Sequence, residues 1–378
     1  MTNPPTLYDT AIVGGGLAGL SLAIQLSRQG HRVLLMEKET YPFHKVCGEY
    51  ISMESWDFLL QLGLPLDEWN LPRISQVIIS APNGLSITET LPLGGFGISR
   101  FKLDAALAAM AKKSGATVLE NTKVADITYN NGIFSIISSA GMFRAQTACA
   151  GYGKRSNLDV KWKRSFLSST RNKNYVGVKY HVRGTFPDHQ IGLHNFRGGY
   201  CGISKIEDDR YCLCYLTVSG NLKKSGQSIT EMENRILRQN PKLREVLDHV
   251  EHLYQYPLTI SQISFAKKTQ VENHILCMGD AAGMITPLCG NGMSMALHAS
   301  KIAAVCLDRF LAKACDRHQL ETEYQQAWQK NFAARLKTGR FLQDFFGRPF
   351  WSTLLLLLLK PFPGLIRSLI RKTHGEKF

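Results

Sequence analysis

Near the start of the chain, Gly14, Gly16 and Gly19 form the pattern G-x-G-x-x-G between an apolar run and a helical pattern. Each glycine meets a different steric demand: a tight turn, close approach of backbone to a ligand, and close packing of a helix on a strand. A second apolar run, residues 32–36, follows the helical pattern. This order of strand, glycine turn, helix and strand predicts a parallel βαβ unit whose helix N-terminus faces a diphosphate.

The residues after the second apolar run indicate which dinucleotide binds. Glu37 stands at the end of that run and Lys38 follows it. A carboxylate at this place accepts hydrogen bonds from ribose hydroxyls and repels a 2′-phosphate. We therefore expect FAD or NAD rather than NADP, bound by the three glycines, the turn residues Leu17 and Ala18, Glu37 and Lys38.

A second pattern lies late in the chain, in the stretch GDAAGMITPLCGNGM. The apolar residues 274–278 before it predict a strand that ends near Asp280. A helix is predicted from about residue 294 to residue 312. Four residues, Gly290, Asn291, Gly292 and Met293, lead into this helix, where backbone N–H groups would stabilise negative charge on a ligand.

Composition limits the remaining possibilities. A chain of 378 residues with 44% hydrophobic content predicts two globular domains. The net charge of +15 favours an anionic partner, but no nucleic-acid-binding motif accompanies it. The start of the sequence lacks the features of a signal peptide, and the nine cysteines follow no disulfide framework, so we expect a cytoplasmic protein. The histidines show no ligand spacing, and no metal is expected.

The two glycine-containing patterns together resemble the FAD-dependent monooxygenase and geranylgeranyl reductase superfamily, of the hydroxybenzoate-hydroxylase-like architecture. The resemblance implies that Asp280 binds the ribityl hydroxyls of FAD and that the helix start at 290–293 faces the N1–C2=O edge of the flavin. In GISRFKLDAAL it implies that Arg100 reaches the cofactor, and in ATVLENTKVADI that the backbone of Val124 lies near the adenine.

Three candidate catalytic residues also come from the resemblance. KVCGEYIS is similar to the Cys-Gly-Glu segment beside the isoalloxazine in prenyl-chain reductases, which implies a proton-donating or redox role for Cys47. Glu49 would position substrate or tune that thiol, and Tyr200 would donate a proton or line the substrate cavity. The plainer alternatives are a packing thiol, a solvated loop acid and a half-buried strand tyrosine.

The sequence departs from the hydroxylases and halogenases of this architecture. Tyr152 and Gly153 stand where aromatic hydroxylases carry Asp-Gly, and no Trp-x-Trp-x-Ile-Pro segment is present. Geranylgeranyl reductases carry a tryptophan and a proline after the tyrosine that corresponds to Tyr200, and both are missing from this sequence. The expected activity is reduction of C=C bonds in an apolar substrate (prenyl, polyene or lipid-like) with electrons from NAD(P)H or a donor protein. The alternatives are a monooxygenase that hydroxylates an aromatic or apolar secondary metabolite, and a non-enzymatic flavoprotein sensor.

The expected fold is α/β, with a Rossmann-type FAD-binding domain of the glutathione-reductase type, an antiparallel β-sheet substrate domain and a helical C-terminus. The ranges assigned to the FAD domain are 1–72, 100–157 and 266–345, and those assigned to the substrate domain are 73–99 and 158–265. Residues 154–173 carry an excess of basic side chains, which indicates either a solvated loop or a landing site for NAD(P)H phosphates or an acidic carrier protein that presents the substrate.

The tail, residues 346–378, is expected to be amphipathic. Its longest apolar run is about half of the roughly 20 residues that a membrane-spanning helix needs. Six consecutive leucines, preceded by aromatic residues and followed by basic ones, suit peripheral contact with the inner face of a membrane. The alternative is that the leucines pack back onto the FAD domain or close a dimer.

Overall fold

The computed structural model of the chain describes residues 6–168 and 174–378. The strands in chain order are β1 Leu7–Val13, β2 Val33–Met36, β3 Tyr50–Ser52, β4 Arg73–Ser80, β5 Ser86–Gly97, β6 Thr117–Leu119, β7 Val124–Asn130, β8 Ile133–Ser138, β9 Gly141–Ala150, β10 Tyr175–Arg183, β11 Gln190–Phe196, β12 Gly199–Ile206, β13 Arg210–Val218, β14 Glu251–His252, β15 Leu258–Ile263, β16 Val271–Glu272 and β17 Ile275–Cys277. The α-helices are α1 Leu17–Arg28, α2 Trp56–Gln61, α3 Arg100–Lys113, α4 Asn157–Lys161, α5 Ser219–Lys224, α6 Ile229–Arg235, α7 Pro241–Asp248, α8 Gly292–Leu311, α9 Arg317–Phe345, α10 Pro349–Leu359 and α11 Pro363–Thr373.

The first sheet has the order β16-β17-β9-β1-β2-β6, and β7 and β8 extend it as a hairpin beside β9. Strand β1 lies at its centre and pairs in parallel with β2 and with β9. Parallel strands need cover on both faces, and β2 is accordingly apolar and buried at every position. Helices α1 and α8 pack together over this sheet, where the Ser21 hydroxyl donates to the Ser300 hydroxyl across 2.7 Å.

The second sheet has the order β14-β10-β13-β12-β11-β4-β5-β3, with β15 also paired to β10. Its pairs are antiparallel, as the sequence predicts, except that β4 and β11 run parallel. Strand β3 comes from the first segment assigned to the FAD domain, yet it pairs with β5 of this sheet. The chain therefore passes between the two sheets just after Cys47 and Glu49. The predicted fold class is confirmed, whereas the domain boundaries stay a prediction.

The C-terminal tail folds into helices α10 and α11, which lie against the second sheet. Leu356 and Ile366 are buried there against Ala81 and Ile87. Within the described residues, no single helix is both long and apolar enough to span a bilayer. Helices α10 and α11 together meet that length and hydropathy, but the chain bends by 118° between them.

Candidate functional site

The first glycine turn has the geometry that its pattern predicts. Gly14 has a φ of +103°, and a Cβ there would lie 2.6 Å from the backbone of Gly151. A Cβ on Gly19 would lie 2.1 Å from the carbonyl oxygen of Gly14, so only glycine lets α1 approach β1 this closely. Gly16 is different: its nearest neighbour would be Nη2 of Arg100 at 3.8 Å. The space beside Gly16 is thus open, as a site for a diphosphate requires.

The acid after β2 is joined to this turn. The backbone N–H of Gly15 donates to Oε2 of Glu37 across 2.8 Å, and the hydroxyl of Tyr41 donates to the Gly15 carbonyl across 2.5 Å. Glu37 is buried, whereas Lys38 points to solvent and pairs with Glu39 at 3.5 Å. Glu37 therefore lies at the glycine turn, where the nucleotide is expected. Lys38 could contact the cofactor only through its backbone.

Leu17, Ala18 and Val124 occupy interior positions. Leu17 and Ala18 form the buried first turn of α1, and Val124 is the buried first residue of β7. The carbonyl oxygen of Val124 accepts from Nδ2 of Asn157 at 3.3 Å. The backbone contact that the sequence assigns to Val124 can therefore use its N–H or share this carbonyl.

The late glycine pattern meets the early one in space. A Cβ on Gly279 would lie 3.6 Å from Cβ of Ala18, so the turn after β17 touches the start of α1. A narrow gap lies between Asp280 and the first turn of α8, and Gly292 is part of its lining. The two segments that the sequence assigns to one cofactor thus form one continuous site.

Asp280 has a carboxylate available for a ligand. Its backbone carbonyl accepts from Nζ of Lys268 across 2.7 Å, but its carboxylate bonds to no donor among the described residues. Burial raises the pKa of Asp280, and burial lowers the pKa of Lys268 to about 8. Asp280 is half-buried and its carboxylate keeps open acceptor positions, which the hydroxyls of a ribityl chain would fill. The residues present therefore fit FAD.

Helix α8 begins at Gly292, two residues earlier than the sequence predicts, so Gly292 and Met293 belong to its first turn. Asn291 precedes it without capping it, and its side-chain amide donates instead to the Thr373 carbonyl across 2.8 Å. Gly290 takes a left-handed conformation beside Tyr50. The N–H groups of the first turn of α8 are left for a ligand with negative charge.

Cys47 lies at this helix start. Its Sγ is 3.6 Å from Sδ of Met293 in the first turn of α8. Burial raises the pKa of the Cys47 thiol, so it keeps its proton at neutral pH. The thiol therefore lies at the start of α8 and is protonated at neutral pH, as the predicted role of proton donor requires.

Arg100 lies between the two parts of the site. Its guanidinium makes two hydrogen bonds to the carboxylate of Asp104, of 2.7 and 2.8 Å, while its Nη2 faces Gly16. Its backbone N–H donates to Oε1 of Glu49 across 2.8 Å. The predicted reach of Arg100 toward the cofactor thus agrees with its position, and it also connects to the Cys47 loop.

Glu49 is fully buried, not solvated. Its Oε1 is 2.5 Å from Nζ of Lys179, and its Oε2 is 2.6 Å from Nε2 of His181. Burial alone would raise the pKa of Glu49, but the His181 hydrogen bond and the Lys179 charge outweigh it and lower that pKa. Glu49 also has a φ of +55°, which is rare for a residue other than glycine. The surrounding bonds hold this loop in a strained shape.

Sequence reasoning missed Lys179 and His181. Both lie on β10, two residues apart, in the otherwise apolar stretch YVGVKYHVR, and neither side chain is exposed. Two basic residues with a spacing of two on an apolar strand point to the same face. That spacing was the available signal, but the partner carboxylate is 130 residues away.

Glu49, His181 and Cys212 have ligand atoms within 4.8 Å of one another, close enough to surround a metal ion. The Lys179 ammonium, however, already neutralises the Glu49 carboxylate. We therefore assign no metal to this cluster.

Tyr200 is buried away from Cys47, in an apolar cluster that includes Leu288 and Phe346. Burial raises the pKa of its hydroxyl well above the usual value. Its role as a proton donor stays a prediction, because no contact places it at the helix start with Cys47.

A larger apolar cavity, partly open to solvent, lies beside Tyr200's cluster. The second sheet supplies Val77, Ile79, Ile87, Leu91, Ile191 and Leu193 to its wall, and the tail supplies Leu355, Leu356, Leu359, Ile366, Leu369 and Ile370. Pro287 to Gly290, which lead into α8, form another part of the wall. An almost wholly aliphatic cavity thus adjoins the loop that precedes the cofactor helix.

The described part of the basic run 154–173 is largely tied into the fold; residues 169–173 lie outside the described residues. Arg164 is buried and bonds to Asp159 and to the Ala281 carbonyl at 2.9 and 3.0 Å. Lys154 bonds to the Ser261 carbonyl, and Arg155 donates to Gln262 at 2.7 Å. These contacts give the described basic residues structural partners.

Comparisons with known proteins agree with this geometry. The NAD(P)-binding Rossmann-like domain family matches residues 12–46. Conditioned medium factor receptor 1 of Dictyostelium discoideum is 26% identical over 91% of this chain and 71% of its own length. Digeranylgeranylglycerophospholipid reductase 2 of Methanothermobacter thermautotrophicus is 23% identical over 96% of this chain and 98% of its own.

Solved structures share the fold over nearly the whole chain. A geranylgeranyl bacteriochlorophyll reductase-like protein of Thermoplasma acidophilum superimposes with a TM-score of 0.78 at 18% identity, over 98% of this chain and 96% of its own. The chain is similar to members of the FAD-dependent oxidoreductase superfamily. A flavin-dependent brominase has the same fold as this flavoprotein, with a TM-score of 0.79 at 18% identity, over 97% and 93% of the two chains.

Three substitutions separate cofactor binding from folding. Gly16→Val should keep the fold, because the space beside Gly16 is open. It should abolish FAD binding, because the valine side chain would fill the space that the diphosphate needs. Asp280→Ala should weaken FAD binding by about tenfold or more, because it removes a charged acceptor. Gly19→Ala should instead cost about 1–3 kcal/mol of folding free energy, because its Cβ meets the Gly14 carbonyl. FAD titration of apoprotein and urea unfolding measure the two effects, and yellow Gly16→Val protein would contradict the assignment.

Glu49→Gln should lower the free energy of unfolding at pH 7 by about 3 kcal/mol, because it leaves Lys179 and His181 without their buried anion. The pKa of Glu49 is lower in the folded chain than its ordinary value of 4.5. Its contribution is therefore complete above pH 4.5 and is lost as the pH falls through the folded pKa. In urea unfolding, the gap between wild type and variant should shrink in acid. The control Glu39→Gln, at an exposed ion pair, should change little; an equal effect of both variants would refute the role of Glu49.

Proposed function

We propose that this flavoprotein uses FAD to reduce carbon–carbon double bonds in an apolar substrate of the prenyl, polyene or lipid-like class. The observation that carries the proposal is the position of the aliphatic cavity. Its wall includes the loop 287–290, which continues directly into the first turn of α8, where Cys47 lies. The relatives named as digeranylgeranylglycerophospholipid reductases support a substrate of this class.

Reduction of a double bond adds a hydride to one carbon and a proton to the other. Bound FAD, reduced by NAD(P)H or by a donor protein, supplies the hydride. Cys47 holds a proton at neutral pH because burial raises its pKa, so its S–H bond can break as the new C–H bond forms. The aliphatic walls keep water away from the apolar chain and hold it by the hydrophobic effect.

Two other functions have support. The first is a monooxygenase, which would place one oxygen atom in the product; the flavin-dependent brominase shows that this fold also hosts flavin enzymes other than reductases. The relation to conditioned medium factor receptor 1 favours a sensor that binds FAD without turnover. The protonated thiol at the helix start supports the reductase, because reduction of a double bond needs a proton donor beside the substrate.

The product distinguishes the three functions. FAD-loaded protein, reduced without oxygen by NADPH or dithionite, should convert a polyprenyl alcohol into a product with two added hydrogens per double bond, as measured by mass spectrometry. An added oxygen that requires air would identify a monooxygenase. Bound FAD without any product would favour the sensor and contradict the proposal.

Cys47→Ala should bind FAD and accept electrons at the wild-type rate but form product on the order of 100-fold more slowly, because it lacks the proton donor. Cys315→Ala, at another partly exposed cysteine, is the control and should match wild type. Unchanged turnover in Cys47→Ala would show that this thiol only packs against its neighbours and donates no proton.

The proposed substrate class would partition into a bilayer, and the tail suits contact with one. Phe350, Leu358 and Phe362 expose 70%, 61% and 61% of their surface on α10 and the turn after it. The flanking cations Arg348, Lys360, Arg367, Arg371 and Lys372 are also exposed. We infer peripheral binding to the anionic inner face of a membrane, with the buried side of the same helices lining the cavity.

The double variant Leu358→Glu/Phe362→Glu should lose binding to vesicles that contain phosphatidylglycerol while it keeps FAD. This variant is sharper than removal of the tail, because Leu356, Ile366 and the Thr373 carbonyl are part of the folded interior. Met142→Glu, at a residue that is 60% exposed on the first sheet, is the control. Vesicle flotation at low and high salt measures binding, and wild-type protein that never floats would refute the membrane contact.

A further inference from the structure

A row of hydrogen bonds leads from Glu49 away from the cofactor site. Nε2 of His181 bonds to Oε2 of Glu49 at 2.6 Å, and Nδ1 of the same ring bonds to the Tyr254 hydroxyl at 2.8 Å. The Tyr254 hydroxyl in turn lies 3.1 Å from Nε2 of His44. Imidazole and hydroxyl groups can each accept a proton on one side and release one on the other. The row is therefore continuous for proton transfer over four side chains.

The outer end of this row is close to solvent. His44 is half-buried, and its ring stacks at 4.6 Å on Phe101, which is itself 38% exposed. Nδ1 of His44 is shielded from solvent and bonds to no described residue, so proton uptake at this end requires the ring to turn outward. Burial, together with the charges of Lys179 and His181, lowers the pKa of His44. Its imidazole is therefore neutral at pH 7 and can take up a proton.

The inner end of the row, Glu49, is one of the groups that influence the pKa of the Cys47 thiol. Glu49 is two residues after Cys47 in the same loop, and the Cys212 thiol, close to both Glu49 and His181, donates to the Cys47 carbonyl at 3.2 Å. The charged and titratable groups that face the row come from several elements: Cys47 from the loop, Arg100 from α3, Lys179 from β10, and Arg210 and Cys212 from β13.

We propose that His44, Tyr254 and His181 form a proton-transfer chain that carries protons from solvent to Glu49, and so resupplies the acid beside the flavin edge. The inference rests on the proposed reduction, which consumes one solvent proton per double bond. When the Cys47 S–H bond breaks, the thiolate regains a proton from the Glu49 end, and His44 takes another from solvent by turning its ring outward. The three residues act through Cys47 and are positioning residues, not catalytic ones.

Tyr254→Phe is the decisive variant, because it removes only the hydroxyl that joins the two imidazoles. Tyr256→Phe, two residues further along and 74% exposed, is the matched control. With the polyprenyl alcohol probe, Tyr254→Phe should slow turnover on the order of tenfold or more and raise the solvent deuterium isotope effect, while FAD content stays normal. The control should match wild type in all three measurements.

His44→Ala gives a readout that a purely structural role would not change. Added imidazole should restore its rate by replacing the missing proton carrier, and pyrazole, of the same shape but a much weaker base, should not. Equal rescue by both compounds, or a rate that never fell, would overturn the chain.

A second measurement needs no substrate and separates this inference from the proposed function. Bound FAD is first reduced without oxygen to its anionic hydroquinone and then oxidised by ferricyanide, which releases one proton from the flavin and none from the oxidant. A pH-indicator dye reports that proton in weak buffer. Proton release should keep pace with oxidation in wild type and in Tyr256→Phe but lag in Tyr254→Phe, because the proton leaves the flavin edge along the same chain. If wild type reduces no alkene, the proposed function fails and this lag still tests the chain. If release is equally fast in all three proteins, the chain is refuted even where alkene reduction occurs.

Discussion

The carboxylate of Glu49 accepts hydrogen bonds from three donors that come from distant parts of the chain: the Arg100 backbone at the start of α3, and Lys179 and His181 on β10. One buried anion thus joins the loop after the nucleotide-binding unit to the second sheet. Its two cationic or polar neighbours offset the cost of burying the charge, which would otherwise be several kcal/mol. The position of Cys47 depends on these hydrogen bonds to Glu49, because Cys47 and Glu49 share a loop.

The cofactor site depends on a second constraint, the close approach of backbones at glycines. Gly19 lets α1 lie against the Gly14 carbonyl, and Gly279, with a φ of +55°, forms the turn after β17 beside Ala18. These contacts bring the N-terminal ends of α1 and α8 to one site, where the open backbone N–H groups and the Asp280 carboxylate complement a diphosphate and a ribityl chain. The same loop that starts α8 forms a wall of the aliphatic cavity, so cofactor and apolar substrate would meet there.

The tail shows how one apolar segment can serve two surfaces. Leu356 and Ile366 pack on the second sheet, as the packing interpretation of the leucines requires, while Leu358 and Phe362 remain exposed. The bend of 118° between α10 and α11 lets both helices lie along the cavity rather than extend away from it. Packing and membrane contact are therefore compatible, because they use opposite faces of the same helices.

The sequence by itself determined the βαβ unit, the late Gly-Asp turn, the helix after it and the alternation of the second sheet. These features are local: glycine sterics and hydrophobic period act over a few residues and can be read without knowledge of the rest. Tertiary structure alone decided that Glu49 is buried and pairs with Lys179, and that a row of hydrogen bonds runs from it through His181, Tyr254 and His44. It also decided that the tail forms part of the cavity wall. Those partners are separated by up to 210 residues. Their pairing follows from how the two sheets pack, which no local pattern encodes.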